Sequence, residues 1–293
     1  MTNKPICEFQ DAYGPIAYNM TNNYMFRYIL QTNQKILHGL TCALLHLKSE
    51  EIHSIQIKNP IDLASDVSGK EFILDIKIIL NNSRILNLEM QVKNEHNWPE
   101  RSLIYLCRSF DQLYRGQEYA DALPAIHIGF VDFTLDKENP EFYATHMLTN
   151  VKTQRVYSDK FILSVVDLSK IELATDEDKT YNIDRWAKLF KAKTWEELKM
   201  YVIDDEYLTE TAHSLYQANA DDIVREQCLA REDAERMERT LKRDNNLLKQ
   251  QLQALQADCN ALQADHDALQ ADRNALQAEN LKLLARIAEL ENK

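Results

Sequence analysis

Glycine and proline are scarce in this chain, with five Gly and six Pro among 293 residues. So few chain breakers argue against a loop-rich or all-β fold. No Walker-type or dinucleotide-type glycine motif occurs, which excludes the phosphate-cradling loops those motifs build. Long apolar runs are missing too. None approaches bilayer-spanning length, and the opening MTNKPICEFQ lacks the apolar core of a secretory signal. These absences predict a cytoplasmic protein with no membrane partner. The cysteines, Cys7, Cys42, Cys107, Cys228 and Cys259, are odd in number, scattered and without a CxxC pair. That usage fits reduced, mostly structural thiols. No histidines stand at HExxH spacing, and no serine sits in a glycine-flanked nucleophile elbow.

Positive charge is also in deficit. The net charge is −12, and residues 236–293 hold nine basic and nine acidic residues. The whole excess therefore lies in residues 1–235, with 25 Lys and Arg against 37 Asp and Glu. Phosphate contacts need cations, so an acidic body is a poor generic nucleic-acid binder. A local basic face or a bound divalent metal offsets that deficit where one exists.

What is present centres on Lys70 to Asn94, which reads as strand, turn, strand. Phe72, Leu74, Ile76, Ile78 and Leu80 share one face of the first strand, with Asp75 and Lys77 on the other. In the second strand Leu86, Leu88, Met90 and Val92 share a face, opposite Asn87, Glu89, Gln91 and Lys93. If the apolar faces lie together, two acids, an amide and two ammonium groups converge. A one-residue slip would break this, so the loop through Asn81, Asn82, Ser83 and Arg84 is expected to hold an odd number of unpaired residues. Phosphodiester hydrolysis needs an activated water and charge relief, which a hard cation held by carboxylates and carbonyls supplies. Asp75, Glu89 and the Met90 carbonyl would make such a half-cage. The competing reading is a hairpin whose polar side is merely wet.

Along the chain, Asn22 and its neighbours offer N-caps before a helix at Met25 to Leu30, and Ile36 to Leu47 has helical spacing. After the hairpin, Pro99 suits a first helical turn. Leu103, Leu106, Phe110, Leu113 and Tyr114 predict the buried face of that helix, and Gly116 its stop. A polar stripe of Arg101, Tyr105, Arg108 and Gln112 follows one side. AIHIGFVDF (residues 125–133) is a strong strand, with further strands at Phe142 to Leu148 and Phe161 to Leu168. Short amphipathic helices begin at Ile183. This order predicts a mixed α/β domain over residues 1–205, with a helical linker at 206–235.

Residues 236–293 carry the clearest periodicity. Leu241, Leu248, Leu255, Leu262, Leu269, Leu276, Leu283 and Leu290 recur every seven residues, partly within repeats of ALQAD. This predicts a coiled coil of about 80 Å that joins copies of the chain, a dimer first of all. With leucine at d, the a positions are Asn245, Leu252, Cys259, His266, Arg273, Asn280 and Ile287, mostly polar, so each heptad adds little stability.

Several segments together carry a family resemblance. Gly69-Lys70, Ile73-Leu74-Asp75-Ile76 and Leu88-Glu89-Met90-Gln91-Val92 resemble the D…ExQ signature of the PD-(D/E)XK nuclease superfamily. More narrowly, the chain resembles the bacterial recombination-promoting nuclease/putative transposase family. Asn22 to Arg27, the Arg101–Tyr105–Arg108 spacing, Gln112 to Ile128 and Ile183-Asp184-Arg185-Trp186 agree, over roughly residues 18–230.

The resemblance implies a restriction-endonuclease-like mixed sheet flanked by helices. It also implies Mg2+-dependent DNA endonuclease activity linked to recombination or mobile elements. Asp75 and Glu89 become metal ligands, and Gln91 stands in for the superfamily's Lys. One departure is Asn23, where the family usually carries an acid. The alternative is a catalytically degenerate nuclease fold serving as a coiled-coil interaction module.

Overall fold

The structure, a computed structural model, describes residues 9–58 and 76–291. The chain divides into two units by internal contacts, Met1–Glu232 and Asp233–Lys293.

In the first unit, Asn22 caps α1 (Asn23–Thr32) by accepting from the Tyr24 and Met25 amides. Asn33 does the same for α2 (Gln34–Leu45). Such caps satisfy amides that no helical carbonyl reaches. Three strands follow, β1 (Ile55–Ile57), β2 (Ile76–Leu80) and β3 (Arg84–Gln91). Then come α3 (Trp98–Phe110), β4 (Ala125–Val131), β5 (Tyr143–Thr149) and β6 (Val156–Asp167). Four shorter helices, α4 (Asp176–Thr180), α5 (Ile183–Lys191), α6 (Trp195–Tyr201) and α7 (Glu206–Ala220), precede α8 (Asp222–Glu291).

The six strands form one mixed sheet in the order β1-β2-β3-β4-β6-β5. The β3–β4 and β4–β6 pairs are parallel and the others antiparallel. Every residue of β4 is buried, as expected of a central parallel strand covered on both faces. The mixed α/β architecture expected from the sequence, with its long C-terminal helix, is the one observed.

One face of the sheet presents Ile76, Ile78, Leu86, Leu88, Met90, Ile128 and Phe130 to the main core. Helices α1, α2, α5 and α7 complete that core through residues such as Phe26, Leu40, Phe190 and Leu208. Phe26, Phe130 and Phe190 meet edge to face, with centroids 5.3 to 5.8 Å apart. They lock α1 and α5 onto β4, each pair adding about 1 kcal/mol beyond area burial. Val224 and Cys228, in the first turns of α8, are buried in the same core.

Helix α3 covers the other face. The sequence predicts its buried side as Leu103, Leu106, Phe110, Leu113 and Tyr114, and the structure corrects this. The buried residues are Trp98, Ser102, Leu106 and Ser109, while Leu103 is 47% and Tyr114 81% exposed. Small serines let the helix approach the sheet closely, and Trp98 packs with Val131 and Val165. The closest approach is at Gly129, where an added Cβ would lie 2.0 Å from Trp98 Cη2. The helix also ends before Gly116, at Phe110. Gln112 Nε2 donates to the Ser109 and Leu123 carbonyls at 2.8 and 3.1 Å, closing that end.

The described residues of the second unit, 233–291, are all helical. Its heptad leucines, Leu241 through Leu290, are each more than half exposed in the single chain.

Candidate active site

The hairpin between β2 and β3 turns through Asn81, Asn82 and Ser83, an odd number, as the register argument requires. Asn81 and Asn82 both take φ of 50°, a left-handed conformation that asparagine tolerates better than most residues. Asn81 also accepts from the His53 and Ser54 amides at 2.7 and 3.1 Å, tying the turn to the approach of β1. Lys77 stands opposite Asn87 and Ile76 opposite Leu88. Leu86, Leu88 and Met90 then face the main core, leaving Asn87, Glu89 and Gln91 on the α3 side. Asp75 lies outside the described residues.

That polar side is not wet. Asn87 and Glu89 are fully buried beneath α3. The Glu89 side chain is only 2% exposed, and Arg101 reaches its Oε1 with Nε at 2.7 Å and Nη2 at 2.6 Å. A buried carboxylate is costly unless neutralised, and the guanidinium, with both nitrogens on one oxygen, supplies the counter-charge through charge-assisted hydrogen bonds. Arg101 is held in turn by Tyr105. Its Nη2 lies 3.4 Å from the Tyr105 hydroxyl, and its guanidinium 5.1 Å over the ring. One edge of the polar stripe on α3 therefore faces the sheet.

His127 approaches Glu89 from β4, where the parallel register sets Asn87 opposite His127 and Glu89 opposite Gly129. Asn87 Nδ2 donates to His127 Nδ1 at 3.0 Å. The neutral ring then carries its proton on Nε2, which faces Glu89 Oε2 at 3.6 Å, too far for a hydrogen bond. Burial, seconded by the Arg101 charge, pulls the His127 pKa down to about 4. His127 is thus a neutral dipole beside Glu89, and the pair is no salt bridge. Its ring stacks on Tyr105 at 6.0 Å and leans on Trp98 at 5.9 Å.

Gln91 closes β3. Its Nε2 donates to the Lys93 carbonyl at 3.1 Å, and its buried Oε1 has no hydrogen-bond partner among the described residues. Asn87 Oδ1 is a second such acceptor. With the Glu89 carboxylate these are oxygen donors of the kind hard divalent cations take. Among the described residues no three His, Cys, Asp or Glu side chains gather to hold a metal ion. Met90 buries its side chain in the main core and offers only its backbone carbonyl. Asn23 is the first residue of α1.

Sequence reasoning placed Asn87 on the Glu89 face without a role, and missed His127 beside Glu89 and Trp98 against His127. The one available signal was a polar residue inside an otherwise apolar strand, as in Ala125-Ile126-His127-Ile128. No helix among the described residues is long and apolar enough to cross a membrane.

No curated protein and no solved structure matches the chain. Residues 20–245, well over half of it, match the family described as PD-(D/E)XK nuclease family transposase. The match takes in β2, β3, α3 and β4. The chain belongs to the PD-(D/E)XK nuclease family transposases.

Proposed function

We propose that the protein is a Mg2+-dependent DNA endonuclease, hydrolysing phosphodiester bonds in recombination or mobile-element transfer. In this reading it is assembled as a homo-oligomer, most simply a dimer, by a coiled coil over residues 236–293. The observation that supports the reading best is Glu89, a carboxylate buried on a central strand in a chain of this family. Ionisable groups are seldom buried without a task.

Asp75 and Glu89 are the carboxylate ligands of the proposal, and the Met90 backbone carbonyl is the third. Bound there, Mg2+ supplies an acidified water and relieves charge on the pentavalent phosphorus and the leaving oxygen. Gln91 is the orienting residue. Its Nε2 is fixed on the Lys93 carbonyl, which leaves Oε1 to accept a hydrogen bond from the attacking water and orient it. An amide adds no charge at that position. The exposed Lys93 and Arg108 supply cations toward a DNA phosphate on an otherwise acidic body.

Purified protein is expected to nick or linearise plasmid DNA with Mg2+ and not with EDTA. Asp75→Asn and Glu89→Gln are each expected to abolish cleavage, and robust cleavage by both variants would sink the assignment. A second reading, a degenerate nuclease fold used as a coiled-coil interaction module, draws on the Arg101–Glu89 pair, which already neutralises the carboxylate. It calls for a concentration-dependent oligomer with no metal binding by calorimetry.

A further inference from the structure

Two of the groups around the Glu89 carboxylate differ in their freedom to move. His127 is fully buried, bonded to Asn87 and packed on Trp98 and Tyr105. The Arg101 side chain is 35% exposed. Its guanidinium already touches a second seat, the hydroxyl and ring face of Tyr105. We infer that Arg101 is the counter-ion of Glu89 in the metal-free protein, and that it yields Glu89 Oε1 to a divalent cation by moving onto Tyr105. The inference rests on the metal reading above.

The reason is electrostatic. A carboxylate this deeply buried needs a cation beside it. A guanidinium and a dication on one carboxylate oxygen repel each other at short range, where the interior screens poorly. One or the other occupies Oε1. Metal binding is then an exchange, and its apparent affinity is lowered by the strength of the Arg101–Glu89 pair, as for any ligand that selects a minor state. Tyr105 keeps the displaced cation near the site through its ring, a contact favourable to guanidinium. Arg101 is on this account a positioning residue that sets metal affinity and remains poised beside the site.

The test uses the full chain and Mn2+ as the probe, with binding followed by calorimetry and by electron paramagnetic resonance. Arg101→Gln is expected to bind Mn2+ at least tenfold more tightly than the unmutated chain, and Mn2+ to raise its melting temperature more. Equal or weaker binding overturns the exchange while leaving the metal reading intact. No binding by either protein, matching a Glu89→Gln control, overturns both. Should Arg101→Gln fail to fold, the unmutated chain decides. Mg2+ titration is expected to shift the Arg101 Nε–H resonance, assigned by its loss in Arg101→Lys. A resonance unmoved at Mg2+ saturation, with binding registered by calorimetry, overturns the exchange.

Discussion

Arg101 Nη2 lies 2.6 Å from Glu89 Oε1, joining α3 to the centre of the sheet through a charge pair closed to water on the Glu89 side. Removing one partner of such a pair leaves the other charge buried and uncompensated, at about 3 kcal/mol for a pair with one partly exposed member. Arg101→Met is therefore expected to lower stability by about that amount in EDTA. The double variant Arg101→Met/Glu89→Leu is expected to recover most of the loss, because no lone charge remains. Urea midpoints at constant slope measure both. A single variant as stable as the parent would mean that the pair contributes nothing to holding α3 in place.

Gly129 gives the same helix its seat. A methyl at that position would stand 2.0 Å from Trp98 Cη2 and 2.1 Å from Cζ2. The indole cannot yield easily, being packed against Val131 and Val165. Gly129→Ala is expected to cost about 1–3 kcal/mol, the range for overpacking a well-filled core. Because Trp98 begins α3, the strain also displaces Arg101 from Glu89. Tryptophan fluorescence and thermal melting report the first effect. A loss of nuclease activity larger than the loss of folded protein reports the second.

These two contacts mark how far the sequence could be read. The β2–β3 hairpin was legible because strand alternation is local and period two, and the parity of its turn followed from wanting the polar sets on one face. The polar edge of α3 was legible as a stripe, but its burial was not. By apolarity Leu103 is the better core residue, yet Ser102 and Ser109 are the buried ones, on a helix whose Trp98 lies close against Gly129. His127 was illegible for the same kind of reason. It meets Asn87 through a parallel register spanning forty residues, and no local pattern encodes such a pairing. The Asp75 side of the site falls outside the described residues and remains part of the proposal.

The cysteines should divide sharply by reactivity. Burial, then Glu51 and Glu50, push the Cys42 thiol up to about 11, and burial, then Glu232, push Cys228 to about 12. Cys107 and Cys259 are exposed. Only the thiolate reacts, so near pH 8 Cys42 and Cys228 hold about a hundredfold or more fewer thiolates than an ordinary thiol. Iodoacetamide at that pH is expected to modify Cys107 within minutes and to spare Cys42 and Cys228 until the protein is unfolded, as read by peptide mass mapping. The sign for stability follows from the raised values. The buried thiols contribute nothing pH-dependent below the ordinary thiol range. Above it the unfolded chain ionises first, and stability falls as pH rises toward the folded values.

The heptad leucines offer the sharpest test of assembly. Leu262 and Leu269 are each 69% exposed in the single chain, a large apolar area for a helix to leave in water. Fully burying a leucine gains about 2 kcal/mol, and in a symmetric dimer each substitution acts twice. Polar a positions such as Asn245, His266 and Arg273 make the assembly depend heavily on these leucines. Leu262→Asn/Leu269→Asn is expected to weaken self-association by ~1,000-fold or more, converting a dimer to monomer at micromolar concentration in sedimentation equilibrium. Circular dichroism would also lose helix signal, since most helical stability in proteins comes from packing an apolar face against a partner. Within the first unit, the melting transition of the core around Phe130 and Phe190 should stay where it was. A parent chain that sediments as a monomer at all concentrations would remove the coiled coil from the proposal and leave the nuclease reading to stand on Asp75, Glu89 and Gln91 alone.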